Sequence, residues 1–115
     1  MVLWIGFDLQ AEIEAVSGNN WTALHLAAWE GKEAVAAQLL QAGASVSAVD
    51  DGGSTPLHTA ALHGKSSIAN LLLQANASTT AVNKYSDTPA QYAKQQGRSD
   101  LAAMLLEAER AAALK

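Results

Sequence analysis

A period of 33 residues runs through most of this 115-residue sequence and constrains its fold more than any other feature. Thr22 returns as Thr55 and again as Thr88. Three further sets repeat at the same step: Ala27, Ala60 and Ala93; Gly31, Gly64 and Gly97; and the pairs beginning at Leu39, Leu72 and Leu105. A fixed period of this length is typical of repeat architectures. The sequence therefore predicts three units, at residues 17–49, 50–82 and 83–115.

Each unit is predicted to contain two helices, as the second unit shows. Thr55 is a suitable N-cap and Pro56 stands where the first helical N–H has no partner, so the first helix is expected to begin there. Gly64 is expected to end it. Residues 68–73 are apolar except for Asn70 and are expected to lie on the second helix.

The loop between units is predicted at residues 49–54, with Gly52 and Gly53 where φ would be positive. The recurring alanines lie on the first helices, where a larger side chain would hold stacked units apart. A helix pair this short cannot bury its own apolar face, so its stability comes from stacking against neighbouring units. The pattern predicts an all-α solenoid.

Composition narrows the function classes. The formal net charge of −4 does not favour binding to nucleic acid, and it disfavours binding to an anionic membrane. No cysteine is present, so disulfides and thiolate chemistry are excluded. Residues 1–7 are apolar, but no basic residue flanks them and Asp8 interrupts the apolar run. This pattern does not fit a signal peptide well. We expect a soluble, cytoplasmic protein.

The second unit matches the TPLHxA signature that opens ankyrin repeats, with Thr55, Pro56, Leu57, His58, Thr59 and Ala60. The first unit lacks only the proline, whereas the third has Ala90 for the leucine and Gln91 for the histidine. The sequence thus resembles ankyrin repeat proteins over residues 17–115. The resemblance implies helix-turn-helix units joined by β-turn or hairpin-like loops.

The two ends depart from the regular pattern. Residues 11–15 align with residues 44–48, so residues 1–16 resemble the tail of an earlier unit. They are expected to be either a piece of a longer array or a partial N-terminal cap. Residues 107–115 are rich in alanine and are expected to prolong the last helix as a polar cap.

Catalytic and metal-binding signatures have no support. The sequence contains no GxSxG, phosphate-loop or HExxH motif. The resemblance implies that His25 and His58 hydrogen-bond the backbone of the turn between repeats. His63 falls at a position that varies in the family. Asp50 and Asp51 are adjacent, but without further oxygen ligands they are weak evidence for a cation. No enzyme activity, cofactor or metal is expected.

The resemblance further implies that partners dock on the concave side, formed by the turn tips and the first helices. The turn positions are Gly18, Asn19 and Trp21, then Asp51, Gly52 and Ser54, then Lys84, Tyr85 and Asp87. The helix positions are Trp29 and Glu30, then Leu62 and His63, then Gln95 and Gln96. These positions are the candidate partner-binding site.

Aromatic residues are enriched at these positions and dominate binding hot spots. Trp29 and Trp21 are therefore candidate anchors for a partner. The alternative is that they cover the edge left by the partial unit at residues 1–16. Glu30, Asp51 and Asp87 would give the face an acidic rim, which favours a basic or mixed partner.

The sequence predicts a non-catalytic module that binds a protein or peptide on its concave face. The alternative is a structural segment of a longer solenoid. In that case, residues 1–7 and 101–114 would dock neighbouring repeats or a second copy of the chain.

Overall fold

The computed structural model of the chain describes residues 20–113, and the predicted segment at residues 1–16 lies outside them, as do Gly18 and Asn19. All regular structure in the described range is helical. The helices are α1 (Ala23–Glu30), α2 (Glu33–Gln41), α3 (Pro56–Leu62), α4 (Ser66–Gln74), α5 (Pro89–Gln95) and α6 (Ser99–Ala113). They form three helix pairs, and the first helices of successive pairs begin 33 residues apart.

Each first helix begins with the same capping arrangement. The hydroxyl of Thr22, Thr55 or Thr88 accepts a hydrogen bond from the backbone N–H three residues later. The side chain at that later position accepts a bond from the threonine N–H in return. This reciprocal pairing satisfies two donors that a helix start leaves open. Gln91 completes it as well as His25 and His58 do, which explains how the third unit tolerates the replacement.

Each turn within a helix pair contains a glycine with positive φ, as predicted for Gly64, whose φ is 69°. The φ of Gly31 is 75° and that of Gly97 is 74°. This left-handed conformation costs a glycine little, because it has no Cβ. It reverses the chain so that each second helix returns antiparallel along the first.

The loops between pairs are tight turns, as expected. In the turn beginning at Asp50, the N–H of Gly53 donates to the carbonyl of Asp50 at 2.9 Å. Gly53 has the predicted positive φ of 75°, whereas the expectation for Gly52 was wrong, since its φ is not positive. The N–H of Lys84 donates to the carbonyl of Gly52 at 2.9 Å and ties this turn to the next one.

The core lies between two layers of helices. In one layer α1 packs against α3 and α3 against α5, while in the other α2 packs against α4. Ala27, Ala60 and Ala93 are buried at these contacts, as the close approach of the first helices requires. The prediction of an all-α solenoid is confirmed. Within residues 20–113, no helix has the length and apolar character needed to cross a membrane.

Candidate functional site

Two buried histidines join consecutive units. His25 Nε2 lies 2.9 Å from the carbonyl oxygen of Ser54, and His58 Nε2 lies 2.8 Å from that of Asp87. In each ring Nδ1 accepts the threonine N–H, so Nε2 carries the proton and donates it to the carbonyl. This confirms the role that the resemblance implied, in which the histidines hydrogen-bond the backbone of the turn between repeats. Both rings therefore have a structural role.

A cleft of about 240 Å³ opens on the side formed by the turns and the first helices. The first unit contributes Trp21 and Trp29 to its lining. The second unit contributes Asp50, Gly52, Ser54, Thr59 and Leu62, and the third contributes Lys84, Tyr85 and Tyr92. The cleft therefore exists only when all three units are stacked.

Trp21 forms one wall and is held in place by a carboxylate. Its Nε1 donates to Asp50 Oδ2 at 2.9 Å, across the junction of the first two units. Asp50 Oδ1 accepts the N–H groups of Gly52 and Ser54 at 2.8 and 3.0 Å, which fixes the turn. The Trp21 ring also stacks on His25 with 6.0 Å between ring centroids. The wall is thus rigid as well as aromatic.

Trp29 is the more open of the two indoles, with 47 % of its surface exposed. It meets Trp21 edge-on at 5.0 Å and His63 at 4.2 Å between centroids. Burial lowers the pKa of His63 below its ordinary value of 6.5, and the positive charges of Lys65 and Arg98 lower it further. His63 is therefore neutral near pH 7 and supports the Trp29 ring. Because its ring contacts Trp29, His63 is less available to a partner than its variable position in the family suggested.

The third unit supplies the opposite part of the lining. Tyr85 is 66 % exposed, and the Lys84 ammonium lies 5.2 Å from the centroid of its ring. Tyr92 is partly buried and meets His58 edge-on with 5.5 Å between centroids. One aromatic face is thus open to solvent, and another is anchored to the core.

The structure gathers seven of the predicted partner-binding positions around the cleft: Trp21, Trp29, Gly52, Ser54, Leu62, Lys84 and Tyr85. Ser54 is only 9 % exposed, so it offers a partner little surface.

Six predicted residues in the described part of the chain lie outside the cleft lining: Glu30, Asp51, His63, Asp87, Gln95 and Gln96. Asp51 is exposed and accepts a hydrogen bond from Asn20 at 2.6 Å. Gln95 donates to Asp87 at 3.3 Å, so these two side chains form a pair at the edge of the third unit. Gln96 is exposed at the end of α5.

Glu30 stands apart from the cleft. It borders a different depression, together with Glu33 and Lys65, where α1 ends and α4 begins. Its carboxylate therefore contributes less to the proposed acidic rim than those of Asp51 and Asp87.

Sequence reasoning missed three lining residues: Asp50, Thr59 and Tyr92. Tyr92 lies three residues before the predicted site residue Gln95, so helical spacing places Tyr92 and Gln95 on one face of the helix. Thr59 lies 33 residues before Tyr92 and holds the equivalent position in the second unit, so the same signal could have indicated Thr59 as well. Asp50 was interpreted only as a turn residue. Among residues 20–113, no cluster of three histidine or acidic side chains could hold a metal ion.

Stacked helix pairs, joined by tight turns and histidine bridges, define this molecule as a helical repeat protein. A family model described as "Ankyrin repeats (3 copies)" matches residues 38–113, and one described as "Ankyrin repeat" matches residues 19–51. The chain belongs to the ankyrin repeat family. No curated protein matches it. Ankyrin repeats are generally protein–protein interaction modules and are generally not enzymes.

Proposed function

We propose that this chain is a non-catalytic module that binds a protein or peptide on its concave face, with the aromatic cleft at the centre. One observation carries the proposal: three consecutive units each contribute aromatic or apolar side chains to a single cleft. A volume of about 240 Å³ lies below the roughly 300–1,000 Å³ of small-molecule sites, which favours a side chain of a larger partner as the occupant.

Exposed aromatic rings support this assignment. Trp29 and Tyr85 present large faces to solvent, and such residues are enriched among binding hot spots. Trp29 contacts the Trp21 ring, and Tyr85 contacts the Lys84 side chain. These contacts already restrict both rings, so binding a partner costs little further side-chain entropy.

The charges near the cleft favour a partner of basic or mixed character. Asp50 lines the cleft, Asp51 follows it in the same turn, and Asp87 lies in the next turn, whereas Lys84 is the one cation among the lining residues of the described range 20–113. Carboxylates near a binding surface act mainly on association rate, so association is expected to slow several-fold as salt is raised.

Binding rather than catalysis also fits the histidines. Both ring nitrogens of His25 and His58 are hydrogen-bonded within the fold, so neither ring is placed to exchange protons with a substrate.

The test uses peptides selected from a displayed library against the wild-type chain. Leu62→Glu places a charge in the cleft lining, and Asn70→Glu places the same charge on an exposed position of α4. We expect Leu62→Glu to weaken the selected peptides at least tenfold, about 1.4 kcal/mol, and Asn70→Glu to leave them unchanged. Equal affinity for both variants would refute binding on the concave face.

Self-association is a second candidate, favoured by the exposure of one leucine. Leu106 on α6 is 45 % exposed, on the last described helix, where a further unit or a second copy would stack. Under this function the sedimentation coefficient would rise with protein concentration, and Leu106→Glu would abolish the rise. A constant value across concentrations would exclude it.

A further inference from the structure

We propose that the aromatic cleft receives an arginine side chain of the partner, an inference that rests on the proposed function and names what the central site recognises. The cleft already holds a cation of its own. The Lys84 ammonium lies 5.2 Å from the centroid of the Tyr85 ring, within the distance at which ring faces attract positive charge.

The rest of the lining suits a second, flatter cation. Trp21 and Trp29 from the first unit and Tyr92 from the third border the same cleft as Tyr85. A guanidinium group is planar and weakly hydrated, so it stacks on aromatic faces more readily than an ammonium group does. An aromatic lining of this kind favours arginine over lysine.

Charge complements shape. Asp50 lines the cleft, and its Oδ2, which accepts the hydrogen bond from Trp21 Nε1, has a second lone pair that can accept another donor. Asp51 and Asp87 add negative charge in the same and the following turn. The neighbouring imidazole does not oppose a cation, because burial and nearby cations lower the pKa of His63 and keep its ring neutral. Lys84 is the opposing charge, and it competes with the incoming guanidinium for the same rings.

This competition gives the proposal a specific signature. Lys84→Met removes the resident cation and is expected to tighten arginine binding about threefold. Tyr85→Leu removes the most exposed ring and is expected to weaken it roughly fivefold. Lys94→Met is the charge-matched control, since Lys94 is exposed on α5 and does not line the cleft.

The experiment is a nuclear magnetic resonance titration of the full chain, in which the indole N–H signals of Trp21 and Trp29 are followed. The probes are two short blocked glycine-serine peptides, one with a central arginine and the other with citrulline, its neutral isostere. We expect saturable shifts of both indoles with arginine and at least fivefold weaker binding of citrulline. Equal responses to the two peptides, no response to either, or an arginine response unchanged by Tyr85→Leu would overturn the proposal.

Lys84 and Tyr85 are both exposed, so their variants are expected to fold, which circular dichroism checks. The two proposals fail differently. If a peptide selected on the concave face keeps its affinity when its arginines become citrulline, the arginine site is wrong and the binding function stands. If arginine binds in the cleft but no selected peptide is sensitive to Leu62→Glu, the binding function is wrong and the arginine site stands.

Discussion

Arg98 lies across Gly64, and its Nε donates to the carbonyl of Leu62 at 3.3 Å. This bond places a positive charge at the carboxyl end of α3, where the helix dipole favours it. Lys65 lies against Gly31 in the same way, one unit earlier. Each of these basic side chains therefore covers the turn of the preceding unit.

Gly64→Ala is expected to destabilise the fold more than Gly97→Ala. Both glycines have positive φ, so an added Cβ costs about 1–2 kcal/mol at either position. At Gly64 the Cβ would also lie 2.6 Å from the Arg98 guanidinium and displace it, whereas Gly97 has nothing within 4 Å. The loss of the Arg98 bond adds roughly 0.5–1.5 kcal/mol, measured by urea unfolding. In an Arg98→Ala background the two costs become equal; a difference that persists there contradicts the account.

His58→Gln separates the two roles of this histidine, the capping of α3 and the bridge to the next unit. A glutamine still completes the capping arrangement, as Gln91 does in the third unit, but it does not bridge to the Asp87 carbonyl. We expect a loss of about 0.5–1.5 kcal/mol in the free energy of unfolding, because that carbonyl loses one of its two hydrogen bonds and keeps the one from the Asn83 N–H. Gln91→His is the matched control and should change stability by less than about 0.5 kcal/mol, since Gln91 is exposed. A similar loss in both variants would show that the inter-unit bond contributes nothing.

Acid is expected to destabilise the fold through His58. Burial lowers its pKa below the ordinary 6.5, outweighing the Asp87 carbonyl and the nearby carboxylates of Asp50 and Asp87. The unfolded chain therefore takes up the proton first as pH falls. Stability is complete above about pH 6.5 and decreases below it, by at most about 1.4 kcal/mol per pH unit for this proton.

Unfolding in urea at about pH 7.5 and about pH 5.5 measures this dependence, and His58→Gln should flatten it. His63, whose pKa is also lowered, contributes a second and separable part of the slope, removed by His63→Gln. A slope unchanged in both variants would assign the acid sensitivity to other groups.

Trp29 and Trp21 are expected to respond differently to substitution. Trp21→Phe loses the bond to Asp50 and should cost about 1–2 kcal/mol of stability, because this bond to a charged group links two units. Trp29→Ala should cost about 2 kcal/mol or more of partner binding and less stability than that. Calorimetric binding and urea unfolding of each variant give the two quantities. If Trp29→Ala loses stability and binding equally, its role is packing and not anchoring.

The sequence predicted the helices well because they are set by local chemistry repeated at a fixed period. Thr55 and Pro56 favour a helix start through local chemistry, and the 33-residue period extends that prediction to Thr22 and Thr88. The sequence could not predict which of Gly52 and Gly53 adopts the positive φ. The turn needs only one residue in that conformation, and either glycine could supply it.

The cleft was harder to predict than the fold. Which side chains share it depends on the rotation between stacked units and on ring orientation, neither of which a period specifies. Trp29 meets His63 across the unit junction, and Tyr92 turns one edge toward His58. Glu30 was predicted in the same set, but it lines the depression that Lys65 also borders and does not line the cleft.

The most direct test of the central claim is a binding footprint. Backbone amide signals of the labelled chain are compared before and after a selected peptide is added. The account predicts that the largest shifts fall in residues 50–54 and 83–87 and in α1, α3 and α5, with small shifts in α2, α4 and α6. Shifts concentrated on the second helices of the pairs would contradict concave-face binding and place the partner on the opposite side of the molecule.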